Sequence, residues 1–140
     1  MSAKPPVVLV FAGNDPSGGA GLAADILTLS SLGCHVLPIV TAITVQDTAG
    51  VQDFLPVEAE WLDDQARMVL EDMHVDAIKI GMVGSVENLA VIAGIASDYP
   101  QIPVILDPVL ASGRGDALAE EELIGAMREL LLAHVQIITP

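Results

Sequence analysis

The densest chemical signal in the chain is the run Ala12-Gly13-Asn14-Asp15-Pro16-Ser17-Gly18-Gly19-Ala20-Gly21-Leu22-Ala23-Ala24-Asp25. Its glycines clear side chains from the start of a helix, which would let a ligand approach backbone amides. The alternative is a tight turn that binds nothing. Three general signatures fail on it. A phosphate loop needs Lys-Ser/Thr after its second glycine, and Gly18 is followed by Gly19-Ala20. Gly19-Ala20-Gly21-Leu22-Ala23-Ala24 fits the loose dinucleotide pattern, but the next strand, Ile39-Val40-Thr41-Ala42, ends without the ribose-binding acid. Ser17 cannot be an elbow nucleophile, because Asp15 stands where that turn requires glycine.

Other residues gather at places where a ligand could reach them. Asp25 falls one turn into the following helix, amid small and apolar neighbours; the plain alternative is a solvated carboxylate. Gln46-Asp47 follows the second strand. A Gln amide pairs one donor with one acceptor, which matches the edge of an aminopyrimidine. Ile80-Gly81-Met82 and Asp107-Pro108-Val109 each end a strand, and an aspartate there suits a metal or phosphate-side ligand, or simply a loop cap. Met82 and Val109 read equally as core. Gly113-Arg114-Gly115-Asp116 is a glycine-hinged loop with one of only 5 cations. His35, His74 and His134 are isolated, Cys34 is the single cysteine, and no metal-ligand spacing or Ser/His/Asp arrangement occurs.

The elements that must position these residues alternate. An apolar run at 7–12 predicts a strand covered on both faces. Leu22, Ile26 and Leu29 predict a helix that stops at Gly33, and 35–43 a second strand. Residues 44–52 read as a more exposed β segment. Helices follow at 58–73 (stripe Leu62, Ala66, Val69, Met73), 85–97 (capped by Ser85) and 118–133. Strands fall at 77–81, 102–106 and 135–138. Strand–helix alternation without repeat or linker predicts one α/β domain over 1–140, with a mostly parallel central sheet flanked by helices.

The 140 residues are 52% hydrophobic, enough for a real core. Lys+Arg total 5 against 19 Asp+Glu, and the net charge of −14 argues against nucleic acid and anionic membrane as partners. The uncharged stretch 26–46 is broken by Gly33 and Pro38, so it predicts no membrane span. One cysteine excludes a disulfide framework, and a cytoplasmic location is expected.

In order, Ala-Gly-Asn-Asp-Pro-Ser-Gly-Gly-Ala-Gly ahead of Asp25, Thr41-Ala42-Ile43-Thr44-Val45-Gln46-Asp47-Thr48, Lys79-Ile80-Gly81-Met82, Leu106-Asp107-Pro108-Val109 and Gly115-Asp116-Ala117-Leu118 resemble the hydroxymethylpyrimidine/phosphomethylpyrimidine kinases of thiamine biosynthesis. The likeness runs from Val7 to Pro140 and implies the three-layer ribokinase-like fold. It further implies ATP-dependent phosphorylation, with Mg²⁺, of 4-amino-5-hydroxymethyl-2-methylpyrimidine and then of its monophosphate, by a homodimer. By position, Asp25 and Gln46 are the implied polar substrate contacts, Gly13, Ala20, Met82 and Val109 the pocket lining, and Asp107 an acid near the magnesium–phosphate group.

Two departures accompany the resemblance. Where the family carries Lys-Ser, this chain has Leu110-Ala111-Ser112-Gly113-Arg114, which leaves open whether Arg114 replaces that lysine. The chain also stops at Thr139-Pro140, where the family continues with Asn-x-x-Glu, a glycine-rich anion hole and the catalytic base. The expectation is therefore a fragment or half-kinase that holds most of the pyrimidine pocket, contains no catalytic residue and does not turn over alone. Competing readings are another ribokinase-like kinase, such as a pyridoxal kinase, and a non-catalytic pyrimidine-binding module.

Overall fold

A computed structural model describes residues 3–110 and 121–139. Its main sheet has five strands, all parallel, in the order β2 (His35–Val40), β1 (Val7–Ala12), β5 (Ala77–Ile80), β6 (Val104–Leu106) and β7 (Ile137–Ile138). A separate antiparallel pair is formed by β3 (Ala42–Gln46) and β4 (Val51–Pro56). The helices are α1 (Gly21–Ser31), α2 (Ala59–Asp72), α3 (Val86–Asp98) and α4 (Glu121–Ala126).

Alternation along β1 sorts the two faces. Leu9 and Phe11 join a large cluster with Leu62, Ala66 and Leu70 of α2 and Leu89, Ile92 and Ile95 of α3. Val8, Val10 and Ala12 turn the other way, toward Leu22 and Leu29 of α1. Both faces of β1 are thus dry, which explains its unbroken apolar sequence. Each fully buried Leu, Ile or Phe contributes about 1.5–3 kcal/mol, so the α2–α3 side carries most of the fold's cohesion. On α2 the buried stripe is Leu62, Ala66 and Leu70, with Val69 and Met73 partly buried beside it. Ser85 caps α3 as its sequence predicts, accepting from the Asn88 backbone N–H at 3.1 Å.

Three elements differ from expectation. The strand predicted over 35–43 breaks at Thr41. There the backbone N–H donates to Ala12 O at 2.9 Å and the hydroxyl to Met82 O at 2.5 Å, while Thr41 O accepts from Val57 N–H and from Asn88 Nδ2. These bonds turn the chain out of the main sheet. The segment 44–52 is not one strand but the end of β3, a turn and the start of β4. Asp47 Oδ1 accepts from the N–H groups of Ala49 and Gly50 and closes that turn. The last predicted helix leaves α geometry after Ala126, widening into a π turn at Met127–Leu131 and tightening to a 3₁₀ turn at Leu132–His134. The part of that helix over 118–120, and the loop with Gly113, Arg114, Gly115 and Asp116, lie outside the described residues. Among the described residues, no helix is long and apolar enough to cross a membrane.

Candidate functional site

The carboxyl ends of β1, β5 and β6 converge with the α1 start and the β3–β4 pair around one hollow of about 320 Å³. Parallel sheets present ligands at this edge, where loops diverge from the strand ends.

The glycine loop builds one wall. At Gly13 the fit is close: a Cβ there would sit 3.3 Å from Met82 Sδ and 3.5 Å from Ala42 O. Gly21 is more constrained still: φ is +58° and a Cβ would lie 2.3 Å from Gly13 O. That packing lets Leu22 N–H donate to Gly13 O at 2.9 Å, which seats the helix start against the strand end.

Several amides of this loop are spent within the loop itself. Asp15 Oδ1 accepts from Ser17 N–H at 2.8 Å and from Ser17 Oγ–H at 2.7 Å, and Asp15 Oδ2 from Gly19 N–H at 3.1 Å. Gly18 N–H donates to Asp15 O at 3.0 Å. The loop folds as an anion-binding concavity, and the chain fills it with its own buried carboxylate. Burial alone pushes that carboxyl up, but donation from the Ser17 hydroxyl and from the N–H groups of Ser17, Ala20 and Gly19 outweighs it. Asp15 therefore titrates below its ordinary 3.8.

Gln46 enters from the opposite wall. Thr44 and Gln46 share the inward face of β3, while Ile43 and Val45 point outward and are exposed. The pairing slips between Val45 and Gln46, which face Asp53 and Val51 and leave Gln52 over. Such a bulge re-aims the side chain beside it. Thr44 ties the two walls together: its N–H donates to Asn14 Oδ1 at 2.7 Å and its hydroxyl to Asn14 O at 2.7 Å. The same hydroxyl oxygen lies 3.1 Å from Gln46 Oε1.

Asp25 and Lys79 sit side by side on the lining of this hollow. Lys79 Nζ donates to Asp25 Oδ1 at 2.7 Å, with the two side chains 27% and 15% exposed. Asp25 Oδ2 is buried with no hydrogen-bond partner among the described residues. An acceptor left so costs about 1–3 kcal/mol, a cost that a ligand's donor would remove.

Gly13, Ala20, Asp25, Gln46, Met82, Asp107 and Val109, the substrate and metal-side residues implied by the resemblance, all line this hollow. Asp47 lies apart from that lining, in the β3–β4 turn. Sequence reasoning missed Asn14, Thr44 and Lys79 as lining residues. Lys79 did leave a signal: it is one of 5 cations and interrupts the apolar strand Ala77-Ile78-Lys79-Ile80. Thr44 left none, because threonine is an ordinary strand residue.

Comparison with known proteins gives this geometry its context. The family model described as phosphomethylpyrimidine kinase matches residues 15–140. The hydroxymethylpyrimidine/phosphomethylpyrimidine kinase of Staphylococcus aureus is 34% identical over 137 residues, covering 98% of this chain and 50% of that protein. A crystal structure of phosphomethylpyrimidine kinase from Clostridium difficile superposes with a TM-score of 0.88 at 35% identity, covering 98% of this chain and 59% of the other. Pyridoxal kinase from Staphylococcus aureus, solved with AMP-PCP and pyridoxal, gives 0.84 at 27% identity over 99% of this chain and 49% of the other. The chain thus spans about half the length of such relatives. With so much of the sequence matched in order and the sheet superposing, this chain belongs to the phosphomethylpyrimidine kinase family, and its fold is the ribokinase-like one.

Proposed function

We propose that the hollow binds 4-amino-5-hydroxymethyl-2-methylpyrimidine, and its monophosphate, as acceptor in an ATP-dependent phosphoryl transfer. The observation that carries this reading is that Gln46 and the glycine loop face each other across one small cavity. Its volume of about 320 Å³ suits a single substituted ring, near the lower end of ligand pockets at roughly 300–1,000 Å³. Met82 and Val109 offer apolar contact to the ring, Gln46 a paired donor and acceptor to its polar edge, and Asp25 Oδ2 an unspent acceptor. The related kinase solved with AMP-PCP supports ATP as phosphoryl donor.

In the first transfer the hydroxymethyl oxygen bonds to the γ-phosphorus as the bond to ADP breaks and the hydroxyl proton passes to a base; in the second, a phosphate oxygen of the monophosphate is the attacking atom. We assign no described residue to that base. Phosphoryl transfer depends mostly on positioning and charge neutralisation, and this chain's share is the positioning of the acceptor. Among the described residues, no group of three or more His, Cys, Asp or Glu could hold a metal ion. A Mg²⁺ bound mainly through phosphates needs only one or two carboxylates. Asp107, on the lining at the end of β6, would supply one, and the ion would neutralise charge on the transferring group. A homodimer in the cytoplasm is the setting proposed for the activity, in line with the resemblance.

Titration calorimetry tests the reading. The aminopyrimidine should bind the wild-type chain, and Gln46→Leu should weaken it about tenfold or more, the loss of one to two hydrogen bonds to a buried edge. Binding of pyridoxal in preference to the aminopyrimidine would replace this reading with that of a pyridoxal kinase. Binding of neither would remove it.

A further inference from the structure

The Thr44 hydroxyl has one proton and two neighbours placed to receive it. Asn14 O stands 2.7 Å away and Gln46 Oε1 3.1 Å away. A hydroxyl donates once and accepts through its lone pairs, whereas a backbone carbonyl can only accept. The proton at the shorter contact therefore belongs to Asn14 O. Two oxygens at 3.1 Å with no proton between them would repel, so the Gln46 contact must run the other way, with the amide as donor. The two ends of a Gln amide have nearly the same shape, and the hydrogen-bond network decides which end faces which neighbour. Here it calls for the amide to be turned over from that placement, so that Nε2 rather than Oε1 faces Thr44 Oγ.

Thr44 has little freedom to evade this constraint. It is buried, its own N–H is bonded to Asn14 Oδ1 at 2.7 Å, and Asn14 N–H is bonded to Ala42 O at 3.1 Å. The side chain, the loop and the strand lock one another.

We infer that Thr44 is a positioning residue that sets ligand specificity by holding the Gln46 amide in one orientation, with Oε1 as the free end toward the hollow. The second Nε2 proton lies beside Oε1, so the exposed edge reads acceptor, then donor. This rests on the pyrimidine reading above and sharpens it. The 4-amino group and adjacent ring nitrogen of an aminopyrimidine present donor then acceptor, the complement. A 4-oxo pyrimidine in its N–H form presents acceptor then donor, and pairs only if the amide turns over and gives up Thr44.

The test compares Kd values of this 140-residue chain for 4-amino-5-hydroxymethyl-2-methylpyrimidine and for the 4-oxo analogue. Wild type should favour the amine by about tenfold or more, the scale of one or two misplaced hydrogen bonds. Thr44→Val keeps the shape, frees the amide and should bring the ratio within about threefold, whereas Thr44→Ser keeps the hydroxyl and should retain the preference. A ratio unchanged in Thr44→Val, or a wild type that does not discriminate, overturns the inference while leaving the pyrimidine reading intact. Wild type binding neither compound overturns both. Should Thr44→Val fail to fold, the wild type decides the matter by NMR. A nuclear Overhauser effect between a Gln46 side-chain amide proton and the Thr44 methyl group is expected, and its absence overturns the orientation.

Discussion

Lys79 Nζ and Asp25 Oδ1 lie 2.7 Å apart, joining the middle of β5 to the first turns of α1 across 54 residues of sequence. The pair belongs to the lining of the hollow, so the same contact that ties helix to sheet also fixes the carboxylate whose second oxygen is unspent.

Breaking this pair from one side should cost more than removing both charges. Lys79→Met leaves a mostly buried carboxylate without its cation, and Asp25→Asn leaves the ammonium without its counter-charge. Each should destabilise the fold by about 1–3 kcal/mol. The double variant should recover part of that loss, with a coupling of about 1 kcal/mol or more in a chemical-denaturation cycle. Strictly additive losses would show that the two groups do not act on each other.

At Gly21 a Cβ would meet Gly13 O at 2.3 Å in a backbone with φ +58°, whereas at Gly18, with φ +79°, it meets nothing within 4 Å. Gly18→Ala should therefore cost only the left-handed backbone penalty of about 1–2 kcal/mol. Gly21→Ala should cost several kcal/mol and also weaken aminopyrimidine binding, because the loop must move off the strand end. Thermal unfolding of the two variants side by side gives the difference, and equal losses would mean that the close approach is not needed.

Asp15 predicts an acid sensitivity with a definite sign. Its folded pKa lies below the ordinary 3.8, so the ionised carboxylate stabilises the fold above that value, and the contribution is lost as pH falls through 3.8 and below. Asp15→Asn should be less stable at neutral pH, yet show a flatter stability profile between about pH 4 and pH 2. Equilibrium unfolding at a series of pH values checks this. A profile as steep as that of wild type would assign the acid sensitivity to other carboxylates.

Asn88 is buried at the point where the chain leaves the main sheet, its Nδ2 donating to Thr41 O and Val83 O at 3.2 Å each. Asn88→Leu removes one donor from Val83 O and one from Thr41 O, which keeps the Val57 N–H, and should destabilise by about 1–3 kcal/mol, taking about 0.5–1.5 for each bond. Because Thr41 also holds Met82, the variant should loosen the hollow, read as weaker aminopyrimidine binding beyond the loss in stability.

Much of the scaffold was legible in the chain itself. Val7–Ala12 is apolar at every position because both faces of β1 are covered, and Leu62 and Ala66 of the stripe expected on α2 are buried because one side of that helix packs on the sheet, with Leu70 buried beside them and Val69 and Met73 only partly so. Ser85 announced the start of α3, and the motif around Gly13, Gln46, Met82 and Asp107 named the residues that meet at the hollow. What local pattern could not carry was direction and partnership. The break at Thr41 depends on bonds to Ala12, Met82 and Asn88, groups distant in sequence whose positions only the folded sheet supplies. The glycine loop reads as an open anion cradle until the fold of the turn brings the Asp15 carboxylate into it. The facing of Gln46 depends on one proton of Thr44 that Asn14 claims first, since a hydrogen bond is assigned by three-dimensional neighbours and not by residue type.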